Sequence, residues 1–163
     1  VVELSTWVPF VESPEEVVRK MLQLAQIKPG ELVCDLGSGD GRIVISAAKD
    51  FGARAIGYEL REDLVRRARE KISAMNLDKM VRIVNADLLT ADLSQVDVVT
   101  IYLNTTANER LRPKLEKELK SGARVVSHDF SLNTWRPVEV STMEPAGHTI
   151  YLYKSPWSFE NRK

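Results

Sequence analysis

Three glycines at alternate positions, Gly37, Gly39 and Gly41, lie in the octapeptide DLGSGDGR (residues 35–42), directly after the apolar pair Val33-Cys34. Glycine crowding after an apolar run marks a backbone that passes close to a ligand. Two carboxylates recur at matching places. Glu59 closes the segment ARAIGYE (53–59), and Asp87 closes VRIVNAD (81–87). A carboxylate at Glu59 can accept both hydroxyls of a ribose, and one at Asp87 can accept from an adenine amino group. A glycine loop with an acidic residue about 20 positions on is the pattern of a Rossmann-like nucleotide site.

Two details choose the nucleotide. The dinucleotide fingerprint wants glycine or alanine at position 42, and Arg42 stands there instead. Asp35 and Asp40 flank the glycines, where anions repel a pyrophosphate and attract an ammonium. An NAD dehydrogenase also adds a catalytic domain, for which 163 residues leave no room. The ligand is therefore read as S-adenosylmethionine, a cation without a pyrophosphate, with S-adenosylhomocysteine as product.

These residues need strand ends to hold them, and the apolar pattern supplies strands. ELVCDL (31–36), 53–59, 81–87, VDVVTIYL (96–103) and GARVVSHDF (122–130) read as five strands, with helices at 42–51, 61–75 and 106–120 between them. Pro113 implies a kink in the last helix or a helix that starts there. Glu62 and Arg66 are spaced for an i,i+4 pair. Residues 137–143 and 148–154 read as an antiparallel hairpin around Glu144-Pro145-Ala146-Gly147, at one sheet edge. Ahead of the glycine loop, SPEE (13–16) reads as a helix start, with Ser13 as cap and Glu16 completing a capping box. The expected fold is α/β: one Rossmann-like, doubly wound, seven-stranded sheet, mostly parallel with the antiparallel hairpin at its end. One domain spans residues 1–163, with residues 1–30 covering the cofactor site and 31–154 forming the core.

The totals narrow the class. The 23 basic residues balance the 23 acidic ones, which argues against stable nucleic-acid binding. No apolar run approaches the roughly 20 residues that span a bilayer, and no signal-peptide layout opens the chain, so a cytoplasmic protein without membrane contact is expected. Cys34 reads as a small buried strand residue. With His128 and His148 it is too scattered for a metal site, so no metal is expected. Trp135 reads as packing under the 131–137 loop, and a monomer is the default.

DLGSGDGR followed by GYE and NAD resembles the class I S-adenosylmethionine-dependent methyltransferases. Three further stretches, VPFVESPEEVVRKML (8–22), NERLRPKLEKELKSGARVVSHDF (108–130) and HTIYLY (148–153), narrow the resemblance to the archaeal broad-specificity protein lysine methyltransferases and their mitochondrial relatives. The resemblance implies a donor held by Asp35, Gly37, Gly39, Glu59 and Asp87 under an N-terminal cover. Ser13, Ser38, Asp40, Gly41, Leu60, Leu88 and Tyr102 complete the expected set. Phe10 stands where the family usually has Tyr, Ser13 where it has Thr, and Glu12 where it has Pro.

The acceptor side is expected after the fourth strand, at IYLNT (101–105). The Asn/Asp-Pro-Pro-Tyr motif of enzymes that methylate base amino groups or glutamine amides is missing there. A lysine needs less: delivery as a neutral amine, in line with the methyl, away from water. Phe10 and Tyr102 are expected to wall the channel, and Tyr102 or Asn104 to offer the amine an oxygen. His128 and Asp129 form a possible general-base pair, although a histidine satisfied by backbone is the simpler expectation. The partners expected are proteins presenting exposed lysines, over a broad range because no lid is visible. An RNA or small-molecule methyltransferase is the alternative.

Overall fold

The computed structural model describes residues 9–162. The first eight residues of the expected cover, Trp7 among them, lie outside this range. Seven strands form one sheet in the order β3-β2-β1-β4-β5-β7-β6. They are β1 (Leu32–Leu36), β2 (Arg54–Tyr58), β3 (Val81–Val84), β4 (Val98–Ile101), β5 (Arg124–His128), β6 (Glu139–Met143) and β7 (His148–Lys154). The first five are parallel, and β7 runs antiparallel to both β5 and β6. The expected hairpin is therefore present, with its second strand set inside its first.

Helices cover both faces, as a parallel sheet requires. On one face lie α1 (Glu15–Leu24), α2 (Arg42–Phe51) and α3 (Glu62–Ala74), whose apolar stripes (Met21 and Leu22, Val44 and Ala47, Ala68 and Ile72) close one core. On the other face α4 (Thr105–Glu118) packs Leu111 and Leu115 against Leu36, Val99 and Trp135. Cys34 and Trp135 are buried as expected. A short α5 (Trp157–Glu160), which no periodicity announced, follows β7.

Several boundaries differ from the sequence reading for local reasons. α4 begins at Thr105 and carries Pro113 inside it, because Asn104 caps its first turn by accepting from the Ala107 N–H at 2.7 Å. A start at Pro113 is thereby excluded. β3 ends at Val84, and Asp87 opens a 3₁₀ turn over Leu88–Thr90. Ser13 does not cap α1, and its hydroxyl turns to His128 instead. Glu62 and Arg66 form no ion pair; Arg61 pairs with Asp63.

The amino ends of the strands are stapled by Arg124. Its guanidinium spans both Glu31 oxygens at 2.7 and 2.9 Å and donates to the Ala25 carbonyl at 2.9 Å. The bond from Arg124 holds the Glu31 carboxyl at about 2, well below its usual range. The carboxyl ends carry the site. Strand order reverses at β1, and the cleft between β1 and β4 at such a switch point is where open α/β sheets bind ligands.

Candidate active site

Register brings the site together. Leu36 pairs with Tyr58 on β2 and with Ile101 on β4, and Ile101 pairs with Ser127 on β5. The next residues, Gly37, Glu59, Tyr102 and His128, therefore emerge side by side. Gly37, Glu59 and Tyr102 border a cavity of about 530 Å³, within the range of small-molecule sites, and His128 is buried against Tyr102.

Gly37, Gly39 and Gly41 all take positive φ, of 89°, 55° and 87°. Such conformations are strained for any side chain, and at Gly39 and Gly41 space is short as well. A Cβ on Gly39 would lie 2.6 Å from the Phe10 ring. The Gly37 and Ser38 N–H groups both donate to the Tyr58 carbonyl, which folds the loop over β2. This close seat needs Gly57, where a Cβ would fall 2.5 Å from that of Ser38. Gly57 belongs to the GYE stretch, but that motif does not announce its packing against Ser38.

Glu59 accepts from the Gly39 N–H at 2.8 Å through one oxygen and from the Arg61 N–H at 2.9 Å through the other. Its carboxylate is thus aimed before any ligand arrives. Asp35 is 3% exposed. It accepts from Thr100 at 2.8 Å, the residue opposite it on β4. Burial pushes the Asp35 carboxyl up to about 7, with Glu59 and Asp40 adding to the rise and Thr100 opposing it.

Asp40 corrects one expectation. It lines the cavity, but its charge is already paired with two cations. Arg42 grips both oxygens at 3.1 and 2.8 Å, and Lys71 approaches at 3.3 Å. Burial alone would raise its pKa; the two cations outweigh that and hold it at about 2. Arg42 also donates to the Ser13 carbonyl at 3.0 Å and pairs with Glu12 at 3.0 Å. The residue that broke the dinucleotide fingerprint clamps the N-terminal segment over the glycine loop.

The other expected residues divide. Phe10, Ser13, Ser38, Leu60 and Tyr102 line the cavity, whereas Gly41, Asp87, Leu88 and Asn104 do not. Gly41 turns the chain into α2 against Ala68. The Leu88 side chain is buried in the core. One Asp87 oxygen is spent on the Leu89 N–H at 2.9 Å. The Asn104 oxygen caps α4 by accepting from the Ala107 N–H, and of the two residues expected to offer an oxygen only Tyr102 lines the cavity. Phe10 packs on Gly39, so it walls the donor loop as well as the mouth.

Tyr102 stacks on His128 with ring centroids 3.8 Å apart. Burial, with Asp129 adding, pushes its hydroxyl further from ionisation. His128 is fully buried and is satisfied by side chains rather than backbone: its Nδ1 meets Ser13 Oγ at 3.0 Å and its Nε2 meets His148 Nδ1 at 2.8 Å. Burial depresses the His128 pKa, which keeps the ring neutral. The two histidines, expected to be scattered, are neighbours.

A seven-stranded sheet of this order, with a glycine loop after β1 and carboxylates at neighbouring strand ends, defines the Rossmann-like methyltransferase class. Residues 35–139 match the family model described as the ANTKMT methyltransferase domain, and the chain belongs to that family. It is similar to a protein-lysine N-methyltransferase of Saccharolobus islandicus, at 46% identity over 90% of this chain and 92% of the relative. It is also similar to the adenine nucleotide translocase lysine N-methyltransferase of Mus musculus, at 41% identity over 85% of this chain, spanning 60% of that relative's length. Among solved structures, an RNA methyltransferase from Salinibacter ruber in complex with S-adenosyl-L-homocysteine superposes with a TM-score of 0.85 at 42% identity, over 90% of this chain and 94% of that one.

Proposed function

We propose that this chain is an S-adenosylmethionine-dependent methyltransferase that modifies lysine side chains of proteins. The observation that carries the reading is a cavity with an acidic donor half and an aromatic mouth, in a chain 46% identical to a protein-lysine N-methyltransferase. The residues fit the donor. Asp35 can face its ammonium, and Glu59 has spare lone pairs for two ribose hydroxyls. The buried Ser38 hydroxyl has no partner among the described residues. Asp87, outside the cavity lining, would have its second oxygen left for the adenine amino group, and Gly37, Gly39 and Leu60 would shape the walls. Bound there, S-adenosylmethionine supplies an electrophilic methyl group.

The chain's own residues prepare the acceptor. Phe10 and Tyr102 present rings at the mouth that exclude water from an entering lysine. Desolvation disfavours its ammonium form, so the proton is released to solvent as the chain enters. Tyr102, which stays protonated, offers its hydroxyl oxygen to the remaining amine. Positioning then supplies most of the acceleration, without a covalent nucleophile. A broad range of exposed lysines is part of the proposal. Among the described residues no helix is long and apolar enough to cross a membrane. A monomer in the cytoplasm completes the reading, and light scattering tests the first part.

The Salinibacter ruber likeness favours a second reading, methylation of RNA. One experiment separates the two. The purified chain and S-adenosylmethionine are incubated with a lysine-rich protein mixture and, separately, with RNA, and both are analysed by mass spectrometry. Methyl masses on lysines of several proteins support the proposal. Modified RNA with unmodified protein overturns it and leaves the donor site standing.

A further inference from the structure

The cluster behind Tyr102 has no part in the chemistry above, and its geometry points to a ligand of its own. We propose that His128, His148 and Asp129 form a binding site for a divalent first-row transition ion of the Zn²⁺ type. His128 Nε2, His148 Nδ1 and Asp129 Oδ2 lie 2.8, 3.2 and 3.4 Å from one another. Donors held about 2.0–2.2 Å from one ion, at tetrahedral or octahedral angles, are about 2.8–3.6 Å apart. The three atoms match that triangle to within a few tenths of an ångström.

The fold aims all three. His128 pairs with Ile150 across β5 and β7, so His148, two residues earlier on β7, shares its face of the sheet. Asp129 leaves β5 with φ at +63°, an unfavourable conformation for a residue with a side chain. Both its backbone and its second oxygen are tied to Thr149, at 2.7 and 2.9 Å. That leaves Oδ2 directed at the histidines. On the other side, His128 Nδ1 meets Ser13 Oγ. A donated Nδ1–H fixes the tautomer whose Nε2 lone pair faces inward, which is the outer bond that metal-binding histidines make.

Two imidazoles and one carboxylate suit Zn²⁺, Co²⁺, Ni²⁺ or Fe²⁺ rather than Mg²⁺ or Ca²⁺, which prefer oxygen alone. Water would fill the remaining positions, because His148 and Asp129 are partly exposed. Without an ion, the three atoms share a proton. With one, the His128 ring is fixed, and with it the Tyr102 ring stacked on it and the Ser13 hydroxyl of the cover. The site therefore acts by positioning, and it does not depend on which acceptor the enzyme uses.

The test titrates the purified chain, stripped with a chelator, with Co²⁺ and separately with Zn²⁺. Visible absorption follows the first and calorimetry the second. One equivalent is expected to bind with micromolar or tighter affinity and to develop the d–d bands of nitrogen- and oxygen-bound Co²⁺. His148→Ala should weaken binding at least 30-fold and Asp129→Asn at least 10-fold, while S-adenosylhomocysteine binding, measured alongside, shows that each variant is folded. Should His148→Ala not fold, His148→Gln serves instead. Failure to saturate below millimolar metal, or equal affinity in the folded variants, overturns the proposal and leaves a proton-filled cluster only. Neither result bears on lysine methylation, which is scored separately.

Discussion

Around the glycine loop, polar contacts join residues that strand pairing already makes neighbours. Gly39 meets Glu59 across the ends of β1 and β2, and Thr100 meets Asp35 at paired positions of β4 and β1. Around Tyr102 the contacts join distant pieces of chain. Ser13 and His128 are 115 positions apart and no strand pairing joins them, although the His128 ring itself reaches Tyr102 from the neighbouring strand. The donor half is thus built by backbone and register. The proposed acceptor half also depends on Ser13, a side chain that arrives from outside the sheet. The first should tolerate few changes and bind one ligand, and the second should be adjustable.

The sharpest way to break this contrast is Glu59→Ala. It removes a carboxylate that accepts two backbone N–H groups, and S-adenosylhomocysteine should bind roughly 100-fold more weakly by calorimetry, about 2.7 kcal/mol. An unchanged affinity would sink the assignment of the donor half. Tyr102→Ala should do the opposite kind of damage. Turnover on a lysine substrate is expected to fall roughly 30-fold, with S-adenosylhomocysteine affinity within about threefold of wild type. Equal losses in both quantities would mean that the two halves are not separable.

Asp35→Asn sharpens the contrast through pH. Burial raises the folded-state pKa of Asp35 to about 7 from the ordinary aspartate value of 3.8. A carboxyl raised in this way destabilises the fold, by an amount that grows as pH climbs from about 4 and levels off past about 7. Removing the charge should therefore raise the melting temperature of the ligand-free protein, with a gap to wild type that widens between pH 5 and pH 8. Donor affinity should fall roughly tenfold at pH 8 in the variant. In wild type it should weaken below about pH 7, as Asp35 protonates, and the variant should lack that slope. Melting curves and calorimetry at three pH values check both.

The smallest effect is expected at the seam between the halves. Arg42→Ala releases Glu12 and the Ser13 carbonyl, and leaves Asp40 with Lys71 alone. Donor affinity should fall about three- to fivefold, and stability by roughly 1–3 kcal/mol. A denaturant midpoint that does not move would show that the clamp contributes nothing.

The same contrast explains what the sequence made legible. Glycines, a strand-end glutamate and alternating elements carry local signals, so sheet class, loop and Glu59 could be read directly. The pairing of Asp40 is not legible in the sequence because Lys71, which neutralises it with Arg42, lies 31 positions away. Asn104 was assigned chemistry although its first duty is to cap α4. Ser13 was read as a cap although a buried histidine claims its hydroxyl. The histidine pair was invisible because nothing in the spacing of 128 and 148 says that a reversed strand will place them face to face. Pro113 suggested a helix start because the cap at Asn104 was not weighed against it.

Arg124 has a consequence for how this enzyme can change. It binds helix, loop and strand together at the amino ends of the sheet, with the cavity at the carboxyl ends. Substitutions at the mouth draw on a reserve of stability that is lodged elsewhere in the molecule. A lineage can therefore explore new acceptors around Tyr102 and Phe10 without first loosening the sheet that aims Glu59. Evolvability, in this chain, is a matter of which end of a strand a residue occupies.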